Sequence, residues 1–150
     1  MLLSGRLVQL IENHTEGVAD AFSKKIRSNA RLPTIARLPA TELAAWGRDA
    51  LGSLKTSLLD GSHDLERRYR MYGCARFEES IPLHEAVLRL FLLKESVIEF
   101  VHEQAVPMTA VDLYAEEELD QRVGHFFDAA IYHLVCGYEN AMRSSGPTRA

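Results

Sequence analysis

Several sequence motifs that are typical of enzymes and of metal or phosphate sites are missing from this chain. Only two cysteines occur, Cys74 and Cys136, and neither belongs to a Cys-x-x-Cys pair, so we expect two reduced thiols packed as small apolar side chains. The glycines never form a phosphate-binding loop, and no Gly-x-Ser-x-Gly nucleophile elbow is present. The sequence therefore predicts a protein that is not an enzyme and has no catalytic residues.

Long apolar runs and an excess of basic residues are missing as well. No segment reaches the ~18 uninterrupted apolar residues that a membrane-spanning helix needs, and the first residues do not have the layout of a signal peptide. The net charge of −4 gives no basic footprint for nucleic acid. We therefore expect a cytoplasmic protein without membrane or nucleic-acid partners.

What the chain does contain is apolar residues that recur every three or four positions, the spacing of one helix face. These stripes predict helices over residues 2–29, 41–59, 63–80, 82–104 and 112–143. Alternating strand patterns and internal repeats do not occur, and 150 residues correspond to about one domain. The predicted fold is an all-α, single-domain bundle of about five helices over residues 1–143, followed by a disordered tail at residues 144–150.

The segment 82–104 is the clearest of these helices. Pro82 opens it, and proline suits the first helical position because its missing N–H would be unpaired there anyway. No further proline and no glycine follows before residue 104. Its apolar residues cover more than half of the helix circumference, so we expect a central helix with neighbours on several sides.

Helical bundles often hold metal ions or haem between their helices. A di-iron site needs two Glu-x-x-His pairs, and the chain offers one convincing pair, Glu99 and His102. A haem needs an apolar pocket with an axial histidine, for which His84, His125 and His133 are candidates. Since a lone histidine in an apolar helix is more often a hydrogen-bonded core residue, we expect neither a metal nor a cofactor.

Two further groups of residues could bind a ligand. Aromatic and histidine side chains on the predicted helices could line a cavity, although their spacing also fits ordinary core packing; the candidates are Trp46, Tyr72, His84, Phe91 and His133. Arginines on the third helix, at positions 67, 68, 70 and 76, could bind an anion or an acidic partner. The alternative is a solvated face on which these arginines pair with Asp64, Glu66 and Glu78.

The order of these elements resembles the N-terminal sensory domain of RsbRD-type co-antagonists, which precedes STAS domains in stressosome proteins and precedes some bacterial histidine kinases. The resemblance covers roughly residues 7–143 and rests on hydrophobic patterns. These are the Trp46 helix ending in Leu58-Leu59-Asp60-Gly61, Arg76-Phe77-Glu78 leading into Ile81-Pro82-Leu83-His84-Glu85, the stretch from Leu90 to Lys94, Phe126-Phe127-Asp128, and Gly137-Tyr138-Glu139. It implies a helical input module without haem and with a globin-like arrangement.

The resemblance also implies a function. We expect a non-enzymatic bacterial signalling input module that forms a homodimer through its first or last helix. Such a module would pass a signal by helix packing to a partner, a kinase or a STAS protein. The alternative is a helical sensor that binds a small molecule, either haem or another apolar ligand.

Overall fold

The residues that the structure describes form five α-helices and one short 3-10 helix. A computed structural model describes residues 2–60, 64–104 and 109–146, and no strand occurs in these ranges. The helices are α1 (Leu2–Arg27), the 3-10 helix (Ile35–Arg37), α2 (Ala40–Asp60), α3 (Leu65–Glu78), α4 (Leu83–Gln104) and α5 (Ala110–Ser145). The prediction of an all-α, single-domain bundle of about five helices is confirmed, while the globin-like arrangement stays a prediction.

The ends of the helices differ from the predicted ones by a few residues. Helix α5 continues through Ser144 and Ser145, which were assigned to the tail, and at its end the backbone N–H of Gly146 donates to the carbonyl oxygen of Met142. Thr109 caps its other end by accepting a hydrogen bond from the Asp112 backbone N–H at 3.1 Å. Residue 63, the predicted start of the third helix, and residues 147–150 of the predicted tail lie outside the described residues.

One feature of α1 was not predicted, a kink at His14. Its backbone angles, φ −130° and ψ 18°, are not helical. The next residue, Thr15, donates its hydroxyl to the carbonyl oxygen of Ile11 one turn earlier, and such back-bonding competes with the backbone ladder and bends helices. The imidazole of His14 lies beside the ring of Phe100 on α4, with 5.1 Å between ring centroids.

The core is one continuous cluster of side chains from all five helices and the 3-10 helix. Helix α4 packs against α1 and α5, as expected for a central helix, and α1 also packs along α2. The largest completely buried apolar side chains are Phe22, Ile26, Leu32, Ile35, Leu43, Leu51, Leu54, Leu90, Leu93 and Phe127. The two cysteines are free and half-buried rather than fully buried.

A buried carboxylate ties the connector between α1 and α2 to the bundle. Glu85 on α4 is only 1% exposed. Its Oε1 accepts hydrogen bonds from the backbone N–H groups of Thr34 at 3.0 Å and Ile35 at 2.9 Å. These donors are at the start of the 3-10 helix, where N–H groups have no partner inside the helix. The contact therefore gives the buried carboxylate two hydrogen-bond donors. It also attaches the connector to α4.

Helices α3 and α5 cross with their backbones in contact. A Cβ on Gly73 would overlap the carbonyl oxygen of Leu134 and lie 2.7 Å from the backbone nitrogen of Tyr138. A Cβ on Gly137 would overlap the carbonyl oxygen of Arg70 in the same way. Each helix thus presents a glycine to the other, and no other residue type fits at either position.

We expect Gly73→Ala and Gly137→Ala each to lower the free energy of unfolding by about 3 kcal/mol, the upper part of the range for overpacked sites, because backbone rather than a flexible side chain must move. Gly52→Ala and Gly124→Ala are matched controls in α2 and α5, since nothing lies within 4 Å of a Cβ there. They should be stabilising by about 0.5–1 kcal/mol. Urea denaturation measures the free energy of unfolding of the four variants. An equal change in the contact variants and in the controls would contradict the backbone contact.

Candidate functional site

The five residues predicted to line a cavity do not share one site. His84 and Phe91 are exposed on α4, Phe91 by 46%, so neither lies in the interior of the bundle. The cause lies in the charged residues of this helix: Glu85 and Arg89 are buried, and they occupy the inward face that the apolar pattern assigned to other positions. His125, the third haem candidate, is exposed as well.

His133 lies apart from the other candidates, on α5. It is half-buried, and its Nδ1 is buried without a hydrogen-bond partner among the described residues. It lines a cavity of about 370 Å³ between α5, the end of α2 and the start of α3, together with Leu58, Leu65 and Phe126. His125, Glu66 and Arg122 also line this cavity, so its rim is charged.

Trp46 and Tyr72 belong to a group of stacked aromatic and arginine side chains. The guanidinium carbon of Arg89 lies 4.1 Å from the centroid of the Trp46 ring, and Trp46 stacks on Phe22 with 5.4 Å between centroids. The guanidinium of Arg76 lies 5.7 Å from the centroid of the Tyr72 ring. Both distances are those of cation–π contacts.

Arg89 is the most unusual charge in the protein. It is 4% exposed, its Nε has no hydrogen-bond partner, and no carboxylate of the described residues pairs with it. Burial lowers the pKa of its guanidinium to about 9, and the positive charge of Arg76 acts in the same direction. Arg89 is therefore still a cation at neutral pH, held against an aromatic ring instead of a carboxylate.

Tyr72 and Arg76 connect this group to a surface cavity. The cavity measures about 580 Å³ and is lined by residues of α2 and α3, including Asp49, Arg67, Arg68, Tyr72 and Arg76. The Tyr72 hydroxyl donates to Asp49 Oδ2 at 2.6 Å. Burial and this bond raise the pKa of Tyr72 to about 12, so its phenol stays protonated.

The arginine patch predicted on α3 is divided by the structure. Arg67, Arg68 and Arg76 line the cavity, whereas Arg70 pairs with Glu66 at 3.3 Å, as the solvated-face alternative predicted. Arg76 pairs with Glu79 at 2.9 Å rather than with Glu78. Arg70 and Arg76 thus form ion pairs as on a solvated face, while the binding of an anion or an acidic partner by the arginines of the cavity stays a prediction.

Glu99 and His102, the candidate metal ligands, contact different neighbours. Glu99 accepts a hydrogen bond from Lys25 Nζ at 2.8 Å. His102 Nε2 lies 2.9 Å from Asp120 and 3.4 Å from Glu116 on α5. In the described part of the chain, no group of three or more histidine, cysteine and acidic side chains is arranged to hold a metal ion.

Sequence reasoning missed the roles of Glu85 and Arg89. The available signal was their spacing of four residues on the most apolar helix, which places both on one face next to Ala86, Leu90 and Leu93. Charged residues in line with core positions are rarely buried without a specific partner.

In the described part of the chain, no helix combines the length and the apolar content that crossing a bilayer requires.

We expect Arg89→Met to leave the free energy of unfolding unchanged or to raise it by about 1 kcal/mol. Burying a cation costs several kcal/mol, the contact with Trp46 returns about 2 kcal/mol of that, and a methionine sulfur also packs well on aromatic rings. Arg89→Ala is the control, because it removes the charge but leaves a void and should be destabilising. If thermal denaturation showed Arg89→Met to be as unstable as Arg89→Ala, the guanidinium would have a stabilising partner.

The contact of His102 with α5 predicts a pH dependence. The hydrogen bond to Asp120, with the charges of Asp120 and Glu116, raises the pKa of His102 above its ordinary 6.5. A raised folded-state pKa gives stability that is complete below 6.5 and is lost as the pH rises through the higher folded value. His102→Gln should therefore be less stable than the wild type by about 0.5 kcal/mol or less in mildly acidic buffer, since the pair is exposed.

This difference should disappear in alkaline buffer. Urea denaturation of both proteins at a series of pH values measures it, and pH effects of other groups cancel in the comparison. A deficit that grew with rising pH would contradict the assigned contact.

No family model, curated protein or solved structure is significantly similar to this chain. The resemblance to RsbRD-type sensory domains therefore stays a prediction that rests on short residue patterns such as Arg76-Phe77-Glu78 and Phe126-Phe127-Asp128. The function has to be inferred from the chain's own geometry.

Proposed function

We propose that this protein is a non-enzymatic bacterial signalling input module that associates with a second copy of itself through the start of α5. A change in helix packing then passes the signal to a protein partner, for which the resemblance suggests a cytoplasmic kinase or STAS protein. The observation that supports this proposal is the apolar surface at the start of α5.

Three large apolar side chains within four residues of α5 are exposed. Val111 and Tyr114 are each 77% exposed, and Leu113 is 59% exposed. The first buried residue of the helix is Leu119, about two turns further on. Isolated exposed apolar residues are ordinary, but clustered ones are typical of interaction sites, and covering these three would bury surface that water now contacts.

The geometry of α5 makes it suited to transmission. The helix has 36 residues and is therefore about 54 Å long. Its middle packs into the core from Leu119 to Tyr138, and Gly137 lies in the crossing with α3. Since one continuous helix joins the apolar start to this crossing, a tilt imposed at one end also changes the packing of α3. Such a shift needs a ligand or partner that binds one packing more tightly than the other.

We expect the wild-type protein to be a dimer, and the double variant Val111→Asp/Tyr114→Asp to be a monomer, because two carboxylates would be buried without partners in the interface. Size-exclusion chromatography with light scattering over a range of concentrations measures the mass. Tyr132→Asp is the matched control, since Tyr132 is also on α5 and is 62% exposed.

A wild type that stayed monomeric at high concentration would refute association. If the wild type were a dimer and the double variant dimerised equally well, the contact would lie elsewhere and the assignment to the start of α5 would be wrong.

The alternative function, a small-molecule sensor, is favoured by one observation, the cavity lined by Arg67, Arg68 and Arg76. Its lining includes three arginines and two aspartates beside Met71, Tyr72 and Ala75, and the excess of arginine fits an anionic ligand better than the haem or apolar ligand that the sequence suggested.

A further inference from the structure

We propose that the cavity between α2 and α3 binds a small phosphate monoester with a hydroxylated body. Arg67, Arg68 and Arg76 would hold the phosphate, and Asp49 and Asp64 would accept hydrogen bonds from the hydroxyls. This site is separate from the start of α5, and the proposal does not depend on the proposed association.

The cavity arginines have hydrogen-bonding capacity to spare. Arg67 is exposed and pairs with no residue of the described chain. Arg68 uses Nη1 to donate to Ser53 Oγ at 2.7 Å, and Arg76 uses Nη2 in its contact with Glu79 while its Nε is buried without a partner. Since each guanidinium has five N–H donors, most of the donors around this cavity remain available to a ligand.

The buried cation adds a second, independent reason to expect an anion. Arg89 has almost no access to water and no ion pair within the described residues, and its electrostatic neighbours are Arg76, Tyr72 and Glu79, of which Arg76 and Tyr72 line the cavity. Two like charges close together in a poorly hydrated region repel each other. Glu79, which pairs with Arg76 at 2.9 Å, offsets some of the repulsion between Arg76 and Arg89, and an anion in the cavity would offset more of it.

The number of cations favours phosphate over carboxylate. One bidentate guanidinium balances the single charge of a carboxylate and contacts both of its oxygens. A phosphate monoester carries nearly two negative charges and three terminal oxygens at neutral pH, so it can use more of the three arginines that line the cavity. The start of α3 is also at this cavity, because Asp64, the residue preceding the helix, is part of the lining, and the partial positive charge of a helix start favours an anion.

The two carboxylates in the lining determine what the rest of the ligand must be. Asp49 and Asp64 would repel a second anionic group, whereas their oxygens can accept hydrogen bonds from hydroxyls. Asp49 already accepts one such bond from the Tyr72 hydroxyl. A volume of about 580 Å³ is within the range of small-molecule sites, so the cavity can hold a phosphate together with a body of sugar size.

Isothermal titration calorimetry with ribose 5-phosphate, inorganic phosphate and ribose, each at the same ionic strength set with sodium chloride, tests the proposal. We expect ribose 5-phosphate to bind more tightly than inorganic phosphate, and ribose alone not to bind. Arg67→Gln and Arg68→Gln should each weaken the binding of both phosphates at least about tenfold, the usual effect of losing a charge-assisted hydrogen bond. Arg143→Gln, the same change of charge at the far end of α5, should leave binding unchanged.

Arg89→Met provides a second test, because a purely structural role of Arg89 would not lead to weaker phosphate binding in a folded variant. The variant should remain folded, yet it should bind both phosphates more weakly than the wild type. Trp46, the only tryptophan, contacts Arg89, so its fluorescence should change when ribose 5-phosphate binds to the wild type.

Three results would overturn the proposal. They are no binding of either phosphate, inorganic phosphate binding as tightly as ribose 5-phosphate, and equal losses in Arg67→Gln and Arg143→Gln. The last result would mean that phosphate binding depends only on the overall charge of the protein. Because the wild type can dimerise whether or not it binds phosphate, these results are independent of the test of association.

Discussion

The contact between the backbones of α3 and α5 at Gly73 and Gly137 decides how α3 lies on the bundle. A helix that touches its neighbour through glycine cannot rotate without forcing side chains into the contact. This orientation turns Arg67, Arg68 and Arg76 towards α2 and leaves Arg70 to pair with Glu66. Two residues without side chains therefore help to set which arginines line the cavity, and one of these, Arg76, is also paired with Glu79.

Helix α4 accommodates two buried charges, four residues apart, in different ways. Glu85 is satisfied by two backbone N–H groups of the 3-10 helix, so its burial contributes to the fold. Arg89 packs on the face of Trp46, forms no ion pair with the described residues and has a buried Nε without a partner, so much of its desolvation cost is not compensated. Polar residues retained at a cost to stability are often those that act on a ligand or partner. Of the two charges, Arg89 is therefore the one whose presence the fold itself does not explain.

The fold could be predicted from the sequence to a large extent, and the site could not. Stripes at helical spacing gave five helices whose ends were correct to within a few residues, because burial of an apolar face decides where a helix forms. The same reasoning placed Phe91 inside, since an apolar residue on a crowded helix was taken to be buried. It failed there because the pairing of Glu85 with the connector, and of Arg89 with Trp46, depends on residues about fifty and forty positions away. The arginine patch was found from local sequence, but its division into cavity and surface depended on the glycine crossing.

The bond between Glu85 and the connector has a consequence for synthesis on the ribosome. The backbone donors at Thr34 and Ile35 precede their acceptor by about fifty residues, so they leave the ribosome well before α4 exists. Until then the segment between α1 and α2 lacks the group that holds it in place, and the first two helices can pair without settling their connection. The emergence of α4 thus supplies the central helix together with the carboxylate that holds the connector, so the connection between α1 and α2 is completed only after α4 has been made.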